Sequence, residues 1–161
     1  MALSDVSNTL WRERQLLELL VFKLEEEQLV LAAGRSRWLA FATREVENVL
    51  AEIKRVELDR AVQLESVAAQ LGFKRTPTLK ELADLTTGPW GRIFSEHRNA
   101  LLELAQEIDG LAQTNREMLA RGQRAAREAL QTLGELSPDT YSPNGVNLDR
   151  QGSLGLINEV I

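Results

Sequence analysis

The chain has 161 residues, no cysteine, one histidine and a formal net charge of −5. Those counts exclude disulfides, a thiol nucleophile and cysteine-based metal sites, and one imidazole cannot supply the paired histidines of common metal centres. With 24 Asp+Glu against 19 Lys+Arg it is no broad coat for phosphate backbones, and 5% aromatic content argues against a strand-rich sandwich.

At 43% hydrophobic the chain can still bury a core. Its length fits one domain, with a possible tail. No basic residue precedes Arg12 and no apolar signal region follows, so a cleaved signal peptide is not expected. The longest apolar runs, Leu19–Phe22 and Leu29–Ala33, fall far short of the roughly 20 residues that a membrane span needs. A cytoplasmic protein that neither inserts in membranes nor binds nucleic acid is expected.

The first helix is read over about 4–33. Leu3, Leu10, Leu17, Leu24 and Leu31 recur every seven residues. Val6 and Leu20 fill two intervening positions, and Glu13 and Glu27 occupy the others, so the coiled-coil seam is imperfect. Ser4 or Asn8 is the expected N-cap. Gly34 reads as a stop and Ser36 as the next N-cap.

The second helix is read over about 37–71, with a stripe of Leu39, Ala42, Val46, Val49, Ile53 and Val56. A strict heptad next demands Arg60 and Gln63, whereas the apolar residues move to Leu64, Val67 and Leu71. Such a shift locally unwinds a coiled coil.

In the connector, Thr78 and Glu81 form a capping box ahead of a short helix over 79–85. Leu79, Leu82, Leu85 and Trp90 are expected to plug one end of a bundle. The third long helix is read over about 90–133. Its stripe is Phe94, Leu101, Leu104, Ile108, Leu111, Met118 and Leu119, then Ala125, Ala129, Leu130 and Leu133. Gly110 and Gly122 mark bends or close-packing points. Arg116, Arg121, Arg124 and Arg127 solvate its second half and complement the helix dipole, or else meet an acidic partner.

Residues 134–161 hold four of the ten glycines and two of the four prolines, so they cannot continue the helix. Yet they keep Leu136, Tyr141, Val146, Leu148, Leu154, Leu156, Ile157, Val160 and Ile161. This pattern is read as a partly disordered tail that orders on a hydrophobic partner, with folding back onto the bundle as the alternative.

Reactive chemistry is sparse. His97 lies on the apolar stripe and lacks the Lys-Gly context of phosphotransfer histidines, so a structural role is expected. The carboxylates read as scattered along solvent faces and form no convergent acid/base pair. Asn115 is at a core-type position, either fixing register or facing water near a bundle end. Trp11, Trp38 and Trp90 flank helix starts and read as end packing. The fold expected is all-α: an elongated antiparallel three-helix bundle or coiled coil over 1–133, with a short connector helix and the tail 134–161. No enzyme activity and no cofactor are expected.

Several stretches together resemble the FlgN-like flagellar type III export chaperones, especially those of actinobacterial-type flagella. They are LWRERQLLELLVFKLEEEQLVLAAG, the connector TPTLKELADL, the stretch AQTNREMLARGQ and the turn SPDTYSPNGV. The resemblance runs to about Val146. It implies a cytoplasmic chaperone that binds C-terminal segments of the hook-associated proteins FlgK and FlgL and delivers them to the flagellar export gate protein. It also implies that the C-terminal region carries the client. The client-binding candidates are therefore Ala126, Ala129, Leu130, Leu133, Leu136, Val146, Leu148, Leu154, Leu156 and Ile157. Tyr141 is the gate-docking candidate. A weak homodimer is compatible with this function. The alternative is a self-associating scaffold whose helix-one leucines form an intermolecular seam.

Overall fold

The computed structural model describes residues 2–134. Within them the chain forms four helices and no strand: α1 (Ala2–Ala32), α2 (Ser36–Leu71), α3 (Leu79–Leu85) and α4 (Pro89–Leu133). Gly34 makes the α1–α2 turn in the left-handed region, with φ +65°, which costs glycine nothing.

The heptad of α1 is unbroken once its polar members are counted. Val6, Leu10, Leu17, Leu20 and Leu24 are buried, and so are Glu13 and Glu27, each 0% exposed. The expectation that the carboxylates lie on solvent faces is thus wrong at two positions. Each of the two has a buried hydrogen-bond donor opposite it, the condition under which a charge survives in a core. The seam of α2 likewise runs on through Arg60, which is buried and opposite Glu13. The steps Ile53, Val56, Arg60, Leu64 make one eleven-residue repeat, which straightens the supercoil at that point.

Ion pairs and hydrogen bonds fix the topology. Glu13 meets Arg60, Lys23 meets Glu45 and Glu27 meets Thr43, so α2 runs antiparallel to α1. Ser7 meets His97 and Glu27 meets Asn115, so α4 runs parallel to α1. α1 is the hub, closely packed on both α2 and α4. Its leucines Leu10, Leu17 and Leu24 are spent within the chain, which removes the intermolecular seam that a scaffold would need.

α3 closes the end where α4 begins. Both halves of the capping box form: Glu81 N–H donates to Thr78 Oγ1, and Thr78 N–H donates to Glu81. Leu79 and Leu82 are buried and Trp90 stacks on Phe94 at 5.7 Å. Leu85 is 59% exposed and is no plug, because it falls on the outer side of this two-turn helix.

Other local expectations are corrected. Ser4 and Asn8 lie inside α1, and Ser36 opens α2 as a helical residue after an Arg35 cap without side-chain bonds. Leu71 is exposed beside the closing Gly72. Trp38 packs on Phe41, itself solvent-facing, rather than on the core. Gly110 and Gly122 are not close-packing points, since a Cβ at either would meet nothing within 4 Å. The tight approach is at Gly91, where a Cβ would sit 2.9 Å from the Ala83 carbonyl oxygen.

Candidate functional site

The buried residues of α4 are Phe94, His97, Leu101, Ala105, Ile108, Ala112, Asn115 and Leu119. Continuing the alternating steps of three and four gives Gly122, Ala126, Ala129 and Leu133. These four lie on the same face, but α1 no longer covers them. Helix lengths explain this. At ~1.5 Å per residue α1 is about 46 Å long and α4 about 67 Å, and both start at the same end of the bundle. The last hydrogen bonds between them join Asn115 to Leu24 and Glu27. Beyond Leu119 the helix projects, and Gly122, Ala126, Ala129 and Leu133 are exposed.

At the base of this projection a groove of about 320 Å³ opens between the α1–α2 turn and α4. Val30, Leu31, Leu39, Met118 and Leu119 form its apolar floor, and Gly122 and Ala126 form part of its wall. Its surroundings are basic. Arg35 and Arg37 stand at the turn, and Arg116, Arg121, Arg124 and Arg127 follow along α4.

Of the client-binding candidates, Ala126, Ala129, Leu130 and Leu133 sit together on the projecting part of α4. Leu136, Val146, Leu148, Leu154, Leu156 and Ile157, and the gate-docking candidate Tyr141, lie outside the described residues. The groove floor is what sequence reasoning missed. Leu31, Leu39, Met118 and Leu119 were visible as stripe members and Val30 was not, but only the packing shows that they line an open groove. The unequal lengths of the first and third long helices, read over about 4–33 and 90–133, were the available signal.

The polar core does not form a reaction centre. His97 is 1% exposed, with the edge of Trp11 against its ring. Arg14 can only donate, so Nδ1 of His97 accepts from it at 3.4 Å and Nε2 carries the proton toward Ser7 Oγ at 3.1 Å. Burial and the Arg14 charge push the imidazole down to about 4, which keeps it neutral. Glu13 accepts from Arg60 at 2.9 Å, yet burial pushes its carboxyl up to about 7 against the pull of Arg60, with Glu57 adding to the rise. Asn115 is fully buried, which settles its two readings: Nδ2 donates to the Leu24 carbonyl at 2.9 Å and to Glu27 Oε1 at 3.1 Å. Thr43 Oγ1 donates to the other oxygen of Glu27 at 2.9 Å. Each polar group faces a partner on another helix and none opens onto a cleft. Among the described residues no cluster of His, Asp and Glu could hold a metal ion, and no helix is long and apolar enough to cross a membrane.

Comparison with protein families matches the FlgN protein family model over residues 1–148. The chain belongs to the FlgN family. FlgN proteins are chaperones of flagellar export that bind hook-associated proteins. No curated protein and no solved structure matches the chain. The FlgN match takes in all four helices, the projecting end of α4 and Tyr141, and stops at Leu148. Leu154, Leu156 and Ile157 lie beyond it.

Proposed function

We propose that the chain is a cytoplasmic chaperone without enzymatic activity. It binds the C-terminal segments of hook–filament junction proteins of the FlgK and FlgL type, keeps them unassembled and delivers them to the flagellar export gate. One observation carries this reading: the seam face of α4 continues past the end of α1 with no other described helix laid against it. A helix face that needs a partner and lacks one among the described residues is suited to a helical segment of a client. The small residues Ala126 and Ala129 let a client helix approach closely, while Leu130 and Leu133 supply apolar contact. In this reading Leu136, Val146, Leu148, Leu154, Leu156 and Ile157 extend the grip, and Tyr141 serves the gate.

The test is capture of a junction-protein C-terminal fragment by the full chain. Leu133→Asp together with Ala129→Asp is expected to abolish capture while leaving thermal unfolding unchanged, because both residues are exposed. Tyr141→Ala is expected to spare capture and weaken binding to the gate protein. Undiminished capture by the double aspartate variant overturns the client assignment, and loss of capture in Tyr141→Ala overturns the division of roles.

A further inference from the structure

We infer that the groove at the α1–α2 turn and the free end of α4 together receive an amphipathic helix whose flanks are acidic. This rests on the chaperone reading and adds the chemistry of the bound segment. The helical form follows from the period. The uncovered positions Gly122, Ala126, Ala129 and Leu133 keep the three–four spacing that α1 fills upstream, so the matching occupant is a helix running on in line with α1. Large apolar side chains suit the floor of Val30, Leu31, Leu39 and Leu119, and the open space over Gly122 leaves room for them.

Acidic flanks follow from charge. Among the described residues no carboxylate lies within 4.0 Å of Arg35, Arg37, Arg116, Arg121, Arg124 or Arg127. This gathers six of the chain's 19 basic residues at one end of a protein whose net charge is −5. The start of α2 adds to the same rim, with no acidic residue in its first turn and no side-chain cap.

The same charges argue against a second copy as occupant, because two such ends would set arginine against arginine. The sequence of residues 135–161 spreads four carboxylates over 27 positions and interrupts its apolar residues with Pro138, Pro143, Gly145, Gly152 and Gly155, so it offers no unbroken three–four seam to match this face. The occupant is therefore a helical segment of another protein.

The experiment uses the full chain and two fluorescent peptides of roughly 20 residues, long enough to hold a helix. Both carry the same leucine seam, one with glutamate flanks and one with lysine flanks. The glutamate peptide is expected to bind about tenfold more tightly, a preference that several rim charges can sum to. The preference should shrink with salt. Arg121→Glu, Arg124→Glu and Arg127→Glu combined should reverse it, and Ala126→Leu should block both peptides by filling the groove wall. Helical circular dichroism should be unchanged in both proteins.

Equal affinity for the two peptides overturns the inference, as does a preference that survives the triple variant or tight binding to Ala126→Leu. If a junction-protein fragment binds while the peptides show no charge preference, only this inference fails. If the glutamate peptide binds as expected and the fragment does not, the chaperone reading fails and the groove chemistry stands.

Discussion

Glu13 and His97 have opposite effects on acid stability, and removing one should unmask the other. Glu13 sits near 7 in the folded chain against a usual 4.5, raised by burial. A raised carboxyl makes the folded state bind a proton that the unfolded state releases. Stability from Glu13 is therefore full below pH 4.5 and lost as pH rises through 7. At about 1.4 kcal/mol per pH unit, the 2.5-unit difference is worth about 3 kcal/mol. His97 runs the other way. Its ring sits near 4 against a usual 6.5, so its stability is full above pH 6.5 and lost as pH falls through 4, again by about 3 kcal/mol. The two windows overlap almost completely, and their effects offset in the wild-type chain.

The perturbation is Glu13→Leu with Arg60→Leu. Both partners must go, because removing the glutamate alone strands a buried guanidinium at a cost of about 3–5 kcal/mol. Joint replacement by apolar residues is expected to be neutral or stabilising at pH 7. Urea unfolding followed by helical circular dichroism, repeated from pH 7 to pH 4, reads the result. The double variant should lose about 3 kcal/mol over that range relative to wild type. Adding His97→Leu should flatten the profile again. A double variant whose acid profile parallels that of the wild type would refute the opposition of these two groups.

Three further variants test the packing. Asn115→Leu leaves the Leu24 carbonyl and one Glu27 oxygen buried without their Asn115 donor; we expect a loss of about 2–3 kcal/mol in urea unfolding, and a variant within error of wild type would show that this layer adds nothing. Gly122→Ala should stabilise α4 by up to about 1 kcal/mol, since its new Cβ meets only open space. Gly91→Ala should destabilise the chain, because its Cβ would press on the Ala83 carbonyl oxygen and push α3 away. Equal melting shifts for the two alanine variants would contradict the close α3–α4 approach.

Much of the fold was legible in the sequence. The seven-residue spacing of Leu3 through Leu31 and the stop at Gly34 depend only on local geometry. So do the Thr78–Glu81 box and the closing Gly72 and Gly134. Backbone sterics and helical period act within a few residues, and a single chain carries them openly. The family was legible too, through stretches spread over the helices and the residues SPDTYSPNGV around Tyr141.

What only the tertiary structure decided is which neighbour each helix position meets. Glu13 and Glu27 looked like interruptions of a seam until Arg60, Thr43 and Asn115 were found opposite them, 16 to 88 residues away. Asn115 had two readings because burial depends on the end of α1, not on Asn115's own surroundings in sequence. The arginines of α4 and its alanine-rich end had the same ambiguity. Their exposure follows from a difference of fourteen residues between the lengths of α1 and α4, helices that start at the same end of the bundle. Periodicity says which face of a helix wants a partner. Where partners begin and end along that face is set by how the helices are aligned, and among the described residues that alignment leaves the last three turns of α4 without a covering helix.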